Sequence, residues 1–300
     1  MSFRTRFAPS PTGPLHLGHA YSAILAHDMA LENGGDFLLR IEDIDQSRAR
    51  PEWEDMIYDD LCWLGLSWEE PVMRQSERMD AYREAIDDLD AEHQMIFPCT
   101  CNRKDILAAT TAPNEGDPPV GPDGLIYPGT CRGKAWDHKF QPNSALRLDM
   151  SEVAASDTLT HTIDMHGTPG SKQASFFEDG SGPNGETGRI VFTAEEMVRS
   201  VGDIVLARRD MGTSYHLSVV VDDAAQEITH VIRGEDLFDS TRIHVVLQLL
   251  LYLPTPTYHH HRLIRDENGK RLAKRDDARA IRTYREDGAT PDDIRRMVGL

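Results

Sequence analysis

Cysteine is scarce: four residues in a chain of 300 cannot build a disulfide framework. Long apolar runs are absent too. The longest, Val245 to Leu253, is broken by Gln248 and is too short to span a bilayer. Met1-Ser2-Phe3-Arg4-Thr5-Arg6 leads into prolines rather than an apolar stretch, so no secretory signal is expected. The expectation is a cytoplasmic protein with no membrane contact. Positive charge is in deficit, with 32 Lys and Arg against 50 Asp and Glu. A net charge of −18 argues against phosphate binding by the surface as a whole. One nucleotide-binding signature is missing as well. G-x-x-x-x-G-K-[ST] does not occur, so any ATP site must be built differently from a Walker loop.

What is present is locally uneven. Residues 52–93 carry 14 acids and 3 Lys or Arg, which reads as a solvated face. Residues 262–285 carry 9 Lys or Arg against 4 acids, which reads as a phosphate-holding surface. Cys99, Cys101 and Cys131 fall in one region, and that grouping points to metal. Cys62 lies in an apolar helical stretch and reads as a core thiol.

The apolar periodicity opens with a strand at Phe3 to Ala8, the turn-rich Pro9-Ser10-Pro11-Thr12-Gly13-Pro14 and a helix from Gly18 to Asn33. Gly34-Gly35 ends the helix, and Phe37 to Ile41 reads as a buried strand. This β-loop-α-β unit predicts a doubly wound α/β domain with a parallel sheet. Further helices are expected from Pro51 and after Ser76. Residues 108–124 and 166–189 read as long surface loops. Leu217 to Val221 and His230 to Arg233 read as strands. A helix from Ser240 to Tyr252 follows, capped by Ser240 or Thr241. The stretch after Pro254 reads as short, basic and loop-rich.

The first chemical constellation is the run from Arg6 to His19, ending His16-Leu17-Gly18-His19. Two histidines stand where a strand hands over to a helix, whose free N–H groups and positive dipole end favour phosphate. Gly18 would let a ligand approach the backbone closely. This run resembles the HIGH motif of class I aminoacyl-tRNA synthetases, in its glutamate-specific branch. Arg271-Leu272-Ala273-Lys274-Arg275 is similar to the family's KMSKS signature, with Lys274 in place and the serine replaced by Ala273. The resemblance covers nearly the whole chain.

The resemblance implies a Rossmann-like catalytic domain in two halves, 1–96 and 191–258. It implies an inserted zinc-bearing subdomain over 97–190, and a KMSKS-like loop with a short helical segment over 259–300. It implies ATP with Mg2+ on its phosphates, held at His16, Gly18, His19 and Lys274, with His16, His19 and Lys274 catalytic. It also implies an L-glutamate site at Arg6, Phe7, Ala8, Pro9, Ser10, Glu42, Tyr215 and Arg233. Arg6, Tyr215 and Arg233 would contact carboxylate, and Glu42 the α-ammonium; arginine's planar fork suits the first task. Glu42 alone, within Arg40-Ile41-Glu42-Asp43-Ile44-Asp45, could equally be a solvated acid.

One structural Zn2+ is implied on Cys99, Cys101, Tyr127 and Cys131, with His138 a substitute fourth ligand and three reduced thiols the plain alternative. Of His259-His260-His261, one is read as structural or ATP-adjacent. The chain reaches Leu300, 26 residues past Lys274. On that ground no anticodon-binding domain is expected, and the resemblance narrows to stand-alone synthetases that place glutamate on queuosine in the tRNA(Asp) anticodon loop. A monomer is expected. A catalytic fragment charging tRNA(Glu) and a non-enzymatic RNA-binding paralogue are the alternatives.

Overall fold

The computed structural model describes residues 2–111, 119–139, 143–157, 159, 172–265 and 279–300. The chain opens with β1 (Arg4–Phe7), α1 (Leu17–Glu32) and β2 (Asp36–Ile41). Next come α2 (Pro51–Trp63), β3 (Glu69–Arg74), α3 (Met79–His93) and β4 (Ile96–Cys99). The middle carries α4 (Arg103–Thr111), the short pair β5 (Val120–Gly121) and β6 (Gly124–Leu125), β7 (Ala145–Leu148) and α5 (Met150–Ala155). It continues with β8 (Gln173–Glu178), β9 (Gly188–Thr193), α6 (Ala194–Ser200) and β10 (Ile204–Ala207). Then follow α7 (Tyr215–Ala225), β11 (His230–Gly234), α8 (Ser240–Leu250), β12 (Thr257–His261), α9 (Ile281–Glu286) and α10 (Pro291–Val298).

Strands β3, β2 and β1 lie side by side and parallel. Strands β11, β12 and β8 are also parallel, with β9 antiparallel at the edge. Arg4 joins the two groups: its backbone N–H donates to Thr229 Oγ1 at 2.8 Å, and its carbonyl accepts from the Thr229 N–H at 2.9 Å. Strand order therefore runs outward in both directions from the β1–β11 junction. That reversal leaves a crevice at the strands' carboxyl ends, where ligands of such sheets bind. The doubly wound α/β class expected from the sequence is the fold found. Strands β4, β7 and β10 make a separate antiparallel sheet.

Small residues bring α1 close to the sheet. Ala20, Ala23, Ala26 and Ala30 are buried on it, beside a fully buried Ile24. They share one apolar cluster with Phe7, Leu39 and Ile41, and with Ile281, Ile294 and Val298 of α9 and α10. Truncating Ile24 to Ala there would cost about 2–5 kcal/mol.

Five readings of the sequence need correction. Leu217 to Val221 is helical, inside α7. Its β-branched Val219-Val220-Val221 run suggests a strand, but Ser214 caps a helix by accepting from the Leu217 N–H, and burial overrides propensity. Neither Ser240 nor Thr241 caps α8: its cap position is Asp239, which makes no side-chain cap bond. The stretch after Pro254 holds β12, α9 and α10, and the last two complete the core under α1. Cys62 is exposed, on the outer side of α2 from the buried Ile57 and Leu61. Finally, the glycine-rich 166–189 stretch contains β8 and the turn into β9. Glycine serves close packing there, since a Cβ at Gly180 would lie 2.3 Å from the His260 carbonyl oxygen.

Candidate active site

The carboxyl ends of β1, β2 and β11 and the first turn of α7 bring Arg6, Glu42, Tyr215 and Arg233 into one electrostatic neighbourhood. Tyr215, half-buried, feels Arg233, Glu42, Arg6 and Asp223 together, and burial raises its phenol. Arg6 is buried and donates from Nε to Asp223 Oδ1 at 2.9 Å. Arg40, fully buried, meets the same oxygen at 2.8 Å and reaches Glu42 Oε1 at 3.5 Å. Burial would push the Asp223 carboxyl up, but Arg6 and Arg40 outweigh it and hold it below the usual range. For Glu42 burial wins: its carboxyl is raised to about 7 despite Arg40 and Arg6. Asp222 is fully buried and accepts from Gln75, Arg78 and Tyr82. Phe7 and Pro9 are buried, Ala8 and Ser10 half-buried, and the Pro9 carbonyl accepts the Glu42 N–H at 3.0 Å.

Arg233 is bound differently. Its Nε–H donates to His260 Nε2 at 3.1 Å, and Nη1 meets His244 Nδ1 at 3.1 Å. Nη2 donates to the Leu237 carbonyl at 3.2 Å and to Thr241 Oγ1 at 2.6 Å. Thr241 therefore serves the arginine and not the helix terminus.

At the start of α1, His16 and His19 cap the helix reciprocally. His16 Nδ1 accepts from the Gly18 N–H, and His19 Nδ1 accepts from the His16 N–H, each at 3.1 Å. A neutral imidazole that accepts at Nδ1 carries its proton on Nε2. Both rings, 3.8 Å apart, thus carry donors on Nε2. Gly18 makes room for this cap, since a Cβ there would lie 3.0 Å from His16 Cε1. His16 also bridges to Ala280, and the Ile281 N–H donates to the Leu15 carbonyl. Arg271 and Lys274, the KMSKS-like candidates, lie outside the described residues.

The three adjacent histidines separate by role. His260 donates to buried Glu178 Oε2 at 2.5 Å. His261 meets Ser22 Oγ of α1 at 2.7 Å, and burial lowers its imidazole to about 4. His259 faces Asp179 at 3.7 Å.

Cys99, Cys101 and Cys131 converge with their sulfurs all within 4.8 Å, a group able to hold a metal ion. Tyr127 Oη lies 3.4 Å from Cys99 Sγ and 3.6 Å from Cys101 Sγ, and accepts from the Cys131 N–H at 2.8 Å. These residues form a small core of their own with Phe97 and Ile106. His138 does not join them: it is exposed, facing Asp90 at 3.5 Å, so it is no substitute ligand in this arrangement. Burial would raise the Cys131 thiol, but bonds from Tyr127, the backbone and Lys134 bring it down to about 6.

Two charges of the basic run meet acids where it is described. Arg279 pairs with Asp287, and Arg285 with Asp59 at 2.9 Å. Sequence reasoning also passed over Asp222, Asp223, Arg40, His216, His244 and Glu178. Only the double Asp222-Asp223 at the end of a valine run offered a signal.

Chain organisation and site together define the catalytic domain of a class I tRNA synthetase. The family model for tRNA synthetases class I (E and Q), catalytic domain, matches residues 2–112 and 184–300. The chain is 57% identical to the glutamyl-Q tRNA(Asp) synthetase of Rhodobacter capsulatus, over 99% of both chains. It is 36% identical to that of Symbiobacterium thermophilum, over 96% of this chain and 83% of the relative. The chain therefore belongs to the glutamyl-Q tRNA(Asp) synthetases, a branch of the class I ligases. A solved glutamate tRNA ligase from Elizabethkingia meningosepticum, in complex with its amino acid, superposes with a TM-score of 0.74 at 26% identity. That match covers 100% of this chain, which spans 61% of the solved one.

Proposed function

We infer that this protein activates L-glutamate with ATP and transfers it to the queuosine base in the anticodon loop of tRNA(Asp). The observation that carries the reading is the convergence of Arg6, Glu42, Tyr215 and Arg233 at the β1–β11 crevice of a chain that matches a glutamyl-Q tRNA(Asp) synthetase end to end.

The residues divide the work by charge. Arg6, Tyr215 and Arg233 receive carboxylate, and ionised Glu42 receives the α-ammonium. A glutamate carboxylate oxygen attacks the α-phosphorus of ATP, the bond to pyrophosphate breaks, and glutamyl-adenylate forms. Charge develops on the phosphoryl oxygens, where Nε2–H donors on His16 and His19 stabilise it. Lys274 would add a positive charge, and Mg2+ would neutralise the phosphates when bound. In the second step a queuosine hydroxyl attacks the acyl carbon, AMP leaves, and the hydroxyl proton goes to solvent or phosphate.

The cysteine group fits zinc. Tetrahedral zinc with sulfur at about 2.3 Å needs ligand atoms roughly 3.5–3.8 Å apart. The Tyr127 Oη–Sγ contacts and the 3.6 Å between Cys101 and Cys131 Sγ match it. Cys99, Cys101, Tyr127 and Cys131 would hold the ion, which would staple this separate core. The setting is a cytoplasmic monomer.

The acceptor is tested by charging total tRNA with labelled glutamate, beside tRNA(Asp) from cells unable to make queuosine. Label should appear only on the modified tRNA and stay off the 3′-terminal adenosine after nuclease digestion. Equal charging of unmodified tRNA, or label leaving with that adenosine, replaces this reading with 3′-end charging.

A further inference from the structure

Arg233 lacks what Arg6 and Arg40 have. No carboxylate lies within 4 Å of it among the described residues, and its ring-nitrogen partners are two imidazoles. A guanidinium donates and cannot accept, and this fixes every proton nearby. His244 Nδ1 must accept from Arg233, so its proton sits on Nε2. That nitrogen is 3.1 Å from His216 Nδ1, which must accept in turn. The His216 proton then sits on Nε2, facing Asp123 Oδ1 at 3.5 Å. On the other side His260 Nε2 accepts from Arg233, and its Nδ1–H donates to Glu178. Burial and the Arg233 charge hold His244 well below the ordinary imidazole range, in agreement with a neutral ring.

These contacts occupy Nε, one hydrogen of Nη1 and both of Nη2. Among the described residues one Nη1 hydrogen is left over, and the positive charge meets no carboxylate, only the neutral Tyr258 ring 5.1 Å from Cζ. The nearest acids on these paths, Asp123 and Glu178, stand behind two imidazoles and one imidazole respectively. Tyr215 lies against this relay, its ring 5.7 Å from His244 and 5.3 Å from His216.

We propose that His244 and His216, anchored by Asp123, are positioning residues that fix Arg233 through neutral partners only, so that its charge is matched by the substrate's carboxylate and glutamate is preferred over glutamine. The proposal rests on the glutamate reading above. A neutral amide could accept the spare hydrogen but could not balance the charge, which makes the relay specificity-determining. Asp123 sits in the β5–β6 turn, four residues before Tyr127. The relay thus ties the segment carrying the cysteine group to the amino-acid site.

The test compares His244→Leu, His244→Gln and His244→Glu in ATP–pyrophosphate exchange, with thermal melting to confirm folding. A hydrogen bond to a charged group is worth roughly 1.5–3 kcal/mol, about 10- to 150-fold. Leu, which cannot accept from Arg233, should raise KM for glutamate at least ~10-fold, with kcat changed less than about 3-fold. Gln can accept from Arg233 and donate to His216, and should restore most of the lost affinity. Glu places a carboxylate on Arg233 and should raise KM furthest while collapsing the preference for glutamate over glutamine. Wild-type KM in all three folded variants, or equal losses in Leu and Gln, overturns the relay. Nitrogen-15 NMR of the wild-type histidines gives an arm independent of substrate. His244 must show a bare Nδ1 and a protonated Nε2, and the opposite tautomer overturns the proposal. If wild type activates an amino acid other than glutamate while that tautomer holds, the glutamate reading fails and the proton order stands.

Discussion

Arg40 and Arg233 are both buried arginines near the carboxyl ends of parallel strands, and the molecule treats their charges in opposite ways. Arg40 is surrounded by acids: Asp223 at 2.8 Å, Glu42 at 3.5 Å and Asp222 at 4.0 Å. Arg233 is surrounded by imidazoles, a hydroxyl, a carbonyl and the Tyr258 ring. A charge matched inside the protein has little left to offer a ligand, and it welds strands to a helix. A charge fixed by neutral partners is held in place without being matched. Arg6 stands between these cases, paired with Asp223 yet within the electrostatic reach of Tyr215. The difference separates scaffold from site among residues of one chemical type.

The largest effect should come from opening the closed network. Asp223→Ala leaves Arg6 and Arg40 without their shared partner. Removing one side of a buried pair costs about 3–5 kcal/mol, because an uncompensated charge stays behind. Urea unfolding should show that loss, with Asp223→Asn intermediate. A loss below about 1 kcal/mol would mean that water reaches Arg40, and the contrast with Arg233 would fall.

Next in size is the cysteine group, where compensation would come from a metal ion rather than a side chain. Ligand bound a thousandfold above its dissociation constant adds about 4 kcal/mol. Chelation should therefore lower the melting temperature by several degrees, and added zinc should restore it. Metal content near zero with no chelator response would leave three reduced thiols as the description.

The third effect reads Glu42 through its protonation. Its carboxyl sits at about 7 in the free protein, because burial outweighs Arg40 and Arg6. Only the ionised form can receive an ammonium group. The ionised fraction falls about tenfold for each pH unit well below that value, so kcat/KM for glutamate should fall likewise. Glu42→Gln should lower kcat/KM and flatten that acid limb. An unchanged limb in the variant would assign it to another group.

Much of this was legible in the sequence, for reasons of range. The opening β-α-β unit could be read because its periodicity and its Gly34-Gly35 stop are local. Cys99, Cys101, Tyr127 and Cys131 could be grouped because one short segment carries them. The charge networks could not. Arg6 and Asp223 are 217 residues apart, and Asp223 becomes a partner only once α7 crosses the β1–β11 junction. His244 carries no local sign of its role, because only the topology sets it against Arg233, 11 residues away on another element. The ion pairing of the basic run was out of reach for the same reason: Arg285 meets Asp59 of α2, 226 residues away, a partner that no count along the chain shows.

The smallest effect concerns a buried charge with no bonded partner. Asp60 of α2 is almost fully buried, and neither carboxylate oxygen has a hydrogen-bond partner among the described residues. Burial raises it to about 6, opposed by the nearby Arg282. The sign follows from proton counting. Between about pH 4 and 6 the native state holds a proton on Asp60 that the unfolded chain has released, so this group's contribution to stability falls as pH rises through that window. Above it the full cost of a buried carboxylate is present. Asp60→Asn should therefore stabilise the protein at pH 7, by about 1 kcal/mol, since the amide keeps unsatisfied polar atoms of its own. The gain should shrink as pH falls toward 4.5, and paired urea titrations of wild type and variant at the two pH values measure it. A variant less stable than wild type at pH 7 would mean that Arg282 compensates Asp60 after all. Asp60 would then belong with Arg40 among the matched charges.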